Sequence, residues 1–244
     1  MRFEAPMPTG KGVFRGLLAV IVLLVLMSIA GQFSAYFLGH DYVKGLVPAS
    51  YVASENSFPT WYSSAALALA AGLTALVAYY HRVRGDAFRN HWVVLALIFL
   101  AFSAEEVASL HETTIEPIRD TLGVGGFFFF AWVIPGALFA LVAAIGFWRF
   151  LMHLPKPTRN RFILAGGLFV FGALGVEMVG GRHFEALGRQ QNFTYSMIVA
   201  VEEFLEMAGI ALFIGAVVDY MRDHLGWTRV ELGSAEAPAG SDGG

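Results

Sequence analysis

Three short segments concentrate the side chains able to do chemistry. SAEEVASLHE, over Ser103–Glu112, supplies Glu105, Glu106, His111 and Glu112. A second stretch supplies Glu177 and, six residues on, His183; VEEFLEM, over Val201–Met207, supplies Glu202, Glu203 and Glu206. Carboxylates and imidazoles from facing helices can hold a divalent metal such as Zn or Fe, with a position left open for water or dioxygen. On that reading Glu105, His111, Glu112, Glu177, His183, Glu202 and Glu206 form the pool of ligands. Glu106 and Glu203 are then free for proton transfer, which a carboxyl in partly dehydrated surroundings performs near neutral pH. The motif signal is weaker than the chemistry. Neither a Glu-x-x-His pair nor HExxH is present, and Glu203-Phe-Leu-Glu206 is only a carboxylate analogue of them.

Other chemistries drop out. The chain has no cysteine, which removes disulfides, thiolate nucleophiles, CxxC zinc sites and iron–sulfur clusters. GxSxG is missing, and Gly123-Val-Gly125-Gly126 runs into four phenylalanines instead of following a strand, so it is no dinucleotide fingerprint. With 16 basic and 19 acidic residues, a net charge of −3, there is no basic stripe for nucleic acid.

The elements that must position the acidic residues are membrane helices. Hydrophobic residues make up 57% of the 244 and charged residues 14%, where a soluble domain carries about 25% charge. Six apolar stretches, 14–39, 61–80, 92–111, 127–150, 162–181 and 196–220, approach or exceed the roughly 20 residues that cross a bilayer. None alternates with the period of a membrane strand. The expected fold class is therefore all-α: a polytopic integral membrane bundle of six transmembrane helices. It forms a single transmembrane domain over 1–232 with a disordered cytoplasmic tail over 233–244. Ser28-Ile29-Ala30 fits a signal-peptidase site. However, the apolar run continues through Phe33, Tyr36, Phe37 and Leu38, so the first stretch is read as a retained span.

Twelve of the sixteen Lys and Arg residues flank one side, and Lys44, Arg119, Arg182 and Arg189 flank the other. This bias predicts both termini in the cytoplasm, in a plasma (inner) membrane. Spans three and five then run outward and span six inward, which places all three acidic segments at outer-leaflet depth. Glu105, Ser109 and Glu112 share one helical face, and Glu202, Glu203 and Glu206 fall within about 100° of arc. His111 points away from Glu105 unless the helix frays. Gly172, Ala173 and Gly175 permit close helix approach ahead of Glu177.

Buried carboxylates cost at least about 2–3 kcal/mol each and face the bundle interior. Arg182 is the nearest candidate cation, with Arg119 and Arg189 in loops; these are too few to balance the cluster, which leaves protons or bound cations. His81, His91, His153 and His224 read as interfacial residues at the opposite end. Trp61, Tyr62, Trp92 and Trp148 fit an aromatic belt, and the fourth span, uncharged before Arg149, reads as a lipid-facing or packing helix. The leading expectation is a divalent-metal membrane enzyme acting on a lipid or membrane-dissolved substrate, with membrane lipids as its partners. The alternatives are a proton- or cation-coupled carrier, and an accessory subunit or homo-oligomer with a structural carboxyl network. The Glu-Glu pairs of spans three and six lie on one side of the membrane, unlike an inverted repeat, and favour a one-sided site.

Overall fold

Local capping sets where the helices start. Thr9 accepts the Gly12 N–H, Ser57 the Thr60 N–H and Asn192 the Tyr195 N–H, each satisfying an orphan donor of a first turn. The computed structural model describes the backbone of residues 3–232; the expectation of a disordered tail over 233–244 falls outside the described residues. In chain order the elements are β1 (Phe3–Pro6), α1 (Gly10–Leu38), α2 (Leu46–Ser50), α3 (Phe58–Arg84), α4 (Arg89–Ala108) and α5 (Leu110–Leu122). There follow α6 (Val133–His153), α7 (Lys156–Val170), α8 (Glu177–Ala186), α9 (Phe193–His224) and β2 (Arg229–Leu232). A π-helical turn over Phe171–Val176 joins α7 to α8. Among the described residues, five helical stretches are long and apolar enough to cross a membrane: α1, α3, α4, α6 and the continuous run Lys156–Ala186. Among the described residues, the one departure from an all-helical chain is the antiparallel pairing of β1 with β2, four residues each, which brings the two ends of the described chain together.

Helix α9 is the axis of the bundle. It holds the longest run of buried positions, and α1, α7 and α3 pack around it. Ile21 of α1 meets Met207 and Ala211. At the far end of the same contact the Gly10 N–H donates to Asp219 Oδ1 at 2.7 Å, while Arg161 and Arg222 pair with the same carboxylate. Two glycines let α7 and the π turn approach α9 at backbone distance. A Cβ on Gly209 would stand 2.7 Å from the Ala165 carbonyl oxygen, and one on Gly172 2.9 Å from that of Glu202. The small residues ahead of Glu177 thus do what their size suggests.

Helices α3 and α4 form a hairpin stitched by reciprocal bonds, each of the Ser64 and Ser103 hydroxyls donating to the other's carbonyl at 2.9 Å. Toward α7 and α9, α4 reaches through rings instead of backbone. Phe102 stacks on Phe169 at 5.6 Å and Phe99 meets Phe213 at 4.4 Å. Those aromatic spacers hold α4 off its neighbours and leave room for long polar side chains one turn further on. Helix α6 is mostly exposed, consistent with a lipid-facing helix.

Two sequence expectations need correction. Trp92 is 1% exposed and belongs to the core, not to an interfacial belt, whereas Trp61 and Trp148 are exposed at 72% and 59%. His81 is not simply interfacial: its Nε2 meets the Tyr220 hydroxyl at 2.9 Å, its Nδ1 pairs with Asp86, and its ring stacks on Trp92. His91 likewise stacks on Phe150, while His153 and His224 stay outside against Phe88 and Tyr220. Both corrections have one cause, the turn between α3 and α4, which folds these rings over the end of α9.

Candidate functional site

The site begins where α4 stops. Ser109 adopts a left-handed conformation (φ 45°, ψ 40°), and its N–H closes on the Glu105 carbonyl at 2.7 Å. That single residue ends α4, starts α5 in a new direction and swings His111 back over the turn it left. The His111 backbone N–H donates to Glu105 Oε1 at 3.1 Å, and its Nδ1 stands 2.6 Å from the same oxygen. The sequence places His111 away from Glu105 on a regular helix; the break at Ser109 reverses that placement. Both side chains are about one-third exposed (35% and 34%). Among the described residues, His111 Nε2 has no hydrogen-bond partner.

Trp132, just ahead of α6, forms the next link. Its ring lies 4.8 Å from the His111 ring, and its Nε1–H donates to Glu177 Oε1 at 3.0 Å. Glu177 in turn faces Glu202 at hydrogen-bonding range. Glu202 is buried, at 8% exposure. Glu203 lies within electrostatic reach of Glu106 and Glu177, and Glu206 within reach of Glu203, Glu106, Glu177 and Glu105. The Ser63 hydroxyl of α3 lies beside Glu106. Six glutamates from α4, α8 and α9 therefore converge with one imidazole.

The π turn decides where Glu177 points. An extra residue in one turn rotates everything beyond it by roughly 100° relative to an uninterrupted helix. Here the rotation sets Glu177 against Trp132 and Glu202, while Gly172 sits on the Glu202–Glu206 turn of α9. Such turns recur at functional sites.

Several expected members stand apart. His183 Nε2 contacts Asn192 Oδ1 at 3.2 Å, the oxygen that caps α9, so His183 positions a helix end and does not join the glutamates. Glu112 is exposed on α5, beside His111 but pointing outward. Arg182 does not neutralise the cluster, since its guanidinium lies over Phe127 at 4.6 Å. Among the described residues, no group of three or more His, Asp or Glu side chains comes into an arrangement that could hold a metal ion. The expected ligand set is close in space but not assembled, because Glu105 is spent on His111 and Glu177 on Trp132 and Glu202.

Sequence reading missed Trp132, which looked like part of an uncharged packing span. It also missed a polar layer between α1, α2 and α9. There Ser196 Oγ donates to Gln32 Oε1 at 3.4 Å, Tyr51 meets Ser196 at 3.4 Å, and the Val52 N–H donates to Ser28 Oγ at 3.2 Å. A glutamine and a serine four residues apart inside an apolar run were the available signal.

Among the described residues, five apolar helical stretches long enough to span a bilayer, together with an axial helix α9 that carries buried carboxyls, mark a multi-pass helical membrane protein. The chain belongs to the DUF8692 family, described as a domain of unknown function, whose match covers residues 16–220. Comparison with curated proteins and with solved structures finds no match.

Proposed function

We propose that the chain crosses the plasma (inner) membrane six times, with α9 as the sixth span and both termini cytoplasmic. We further propose that its Glu–His site performs acid–base chemistry on a lipid or another membrane-dissolved substrate at outer-leaflet depth. One observation carries the reading: the 2.6 Å contact between Glu105 Oε1 and His111 Nδ1 on a partly exposed pair. A carboxylate bonded to Nδ1 fixes the tautomer and leaves Nε2 as the working base or acid. Behind it Glu177 faces Glu202, and Glu106 and Glu203 extend the carboxyl chain toward α3 and α9. A divalent cation at this site would require Glu202 or Glu206 to move toward the Glu105–His111 pair.

The test is direct. Purified protein is incubated with a total membrane lipid extract, and lipid products are followed by mass spectrometry. Glu105→Gln and His111→Gln should each lower turnover by roughly 10²–10⁴-fold, the span of positioned acid–base catalysis. Unchanged turnover in both variants would place the chemistry elsewhere. Elemental analysis of the same preparation decides whether a metal takes part: retained divalent metal that falls in Glu206→Gln would restore the metal-enzyme expectation.

A proton-coupled carrier is the second reading. It is favoured by the ionic cluster at the other end of α9, where Asp219 meets Arg161 and Arg222, and Tyr220 meets His81. Proton flux into vesicles that depends on Glu203 and Glu206, without any lipid product, would select it.

A further inference from the structure

Three of the four basic side chains at the glutamate end gather on one aromatic segment, Phe127–Phe130. The Arg119 guanidinium lies 4.6 Å over the Phe129 ring and its Nη1 donates to the Phe129 carbonyl at 3.5 Å. Arg189 covers the same ring at 5.4 Å, and Arg182 covers Phe127 at 4.6 Å. They arrive from α5, from α8 and from the turn after α8, so the convergence is tertiary. Arg119 has Glu116 at 3.5 Å and Asp120 at 3.9 Å, both carboxylates largely exposed. Among the described residues, Arg182 and Arg189 have no carboxylate within salt-bridge distance. The nearby Glu185 is turned to the Gly126 N–H. Arg189 is also held in a left-handed backbone conformation (φ 67°) by its N–H bond to the Phe184 carbonyl at 2.9 Å. Beside the arginines, Phe127 and Phe128 are exposed at 42% and 43%.

Among the described residues, Arg182 and Arg189 sit over their rings with no carboxylate partner, and a guanidinium's N–H fork matches the oxygens of a phosphate. Aromatic side chains exposed next to it match the headgroup–acyl boundary of a bilayer. We propose that Arg182 and Arg189, with Arg119 behind them, bind the phosphate of an anionic phospholipid while Phe127 and Phe128 lie against its acyl chains. The inference stands apart from the acid–base reading, and neither depends on the other.

The full-length protein is purified from mixed micelles containing phosphatidylglycerol and phosphatidylcholine, and retained lipid is counted by native mass spectrometry. The wild type should retain phosphatidylglycerol in preference to phosphatidylcholine, and R182Q/R189Q should lower that preference about tenfold. R182K/R189K, which keeps the charge but loses the fork, should fall between them. It decides the matter together with the wild-type preference if the glutamine variant fails to fold. Equal retention of the two lipids by the wild type, or undiminished preference in the glutamine variant, would overturn the assignment. Displacement of phosphatidylglycerol by millimolar inorganic phosphate would show a free-phosphate site and overturn the lipid assignment.

Discussion

His111 owes its position to Ser109, and the upward shift of its pKa to Glu105. Burial works against a charged imidazole there, but the Glu105 carboxylate bonded to Nδ1, with Glu112 and Glu177 nearby, outweighs it and holds the pKa above the ordinary value. A raised histidine pKa stabilises the fold below the unfolded value, about 6.5, and that contribution is lost as pH rises through the folded value. If neutral His111 is the working base, turnover should climb with pH through the raised value, and Glu105→Gln should move the inflection to lower pH. A pH–rate profile of the two proteins checks this, and an unmoved inflection would detach His111 from the titration. Ser109 itself tests the turn. A non-glycine residue at φ 45° is strained, so Ser109→Gly should raise thermal stability by up to about 1 kcal/mol. Ser109→Val should lower it by at least that much and loosen His111 from Glu105.

At the scale of the elements, the fold rests on how closely α7 and the π turn approach α9. A methyl group on Gly209 meets backbone on both sides, the Ala165 carbonyl at 2.7 Å and the Phe169 nitrogen at 3.0 Å. Neither can turn aside as a flexible side chain could. Gly209→Ala should therefore cost about 1–3 kcal/mol by overpacking, read as a lower melting temperature in detergent. Gly172→Ala pushes instead on the Glu202 carbonyl and on Glu206, so it should disturb the acidic site more than the overall stability. Asp219 anchors the other end of this contact. Asp219→Asn, which weakens the pairing with Arg161 and Arg222 while keeping an acceptor for the Gly10 N–H, should cost roughly 1.5–3 kcal/mol. A melting temperature equal to wild type would show that the cluster adds nothing to the docking of α1.

Across the whole molecule, α9 is the element on which orientation and function both turn. Its 32 residues give a rise of about 48 Å, more than the roughly 30 Å hydrocarbon thickness. It is wrapped by α1, α3 and α7, so its acidic residues face protein and not lipid. In the six-span arrangement a reporter fused near Pro117 and one fused at the C-terminus should lie on opposite sides of the membrane. Finding both on one side would mean that α9 does not cross, and would remove the shared outer-leaflet depth on which the site rests.

Composition and span length, read without coordinates, were enough to mark a multi-pass helical protein, because the cost of exposing polar backbone to lipid leaves few other folds. They also marked the acidic segments on three helices, because burying charge is expensive enough for each instance to stand out. The small residues Gly172, Ala173 and Gly175 were legible as close packing, whereas the equally tight Gly209 was not singled out. Tertiary structure alone decided which of these groups touch. One left-handed residue at Ser109 and one π turn before Glu177 each redirect a side chain by a large angle, and no local pattern in the sequence encodes either. Trp132 joins the site, and His183 and Arg182 leave it, for the same reason. Side-chain partners depend on the rotation and separation of helices, which rings such as Phe99, Phe102, Phe169 and Phe213 set only once they are packed together.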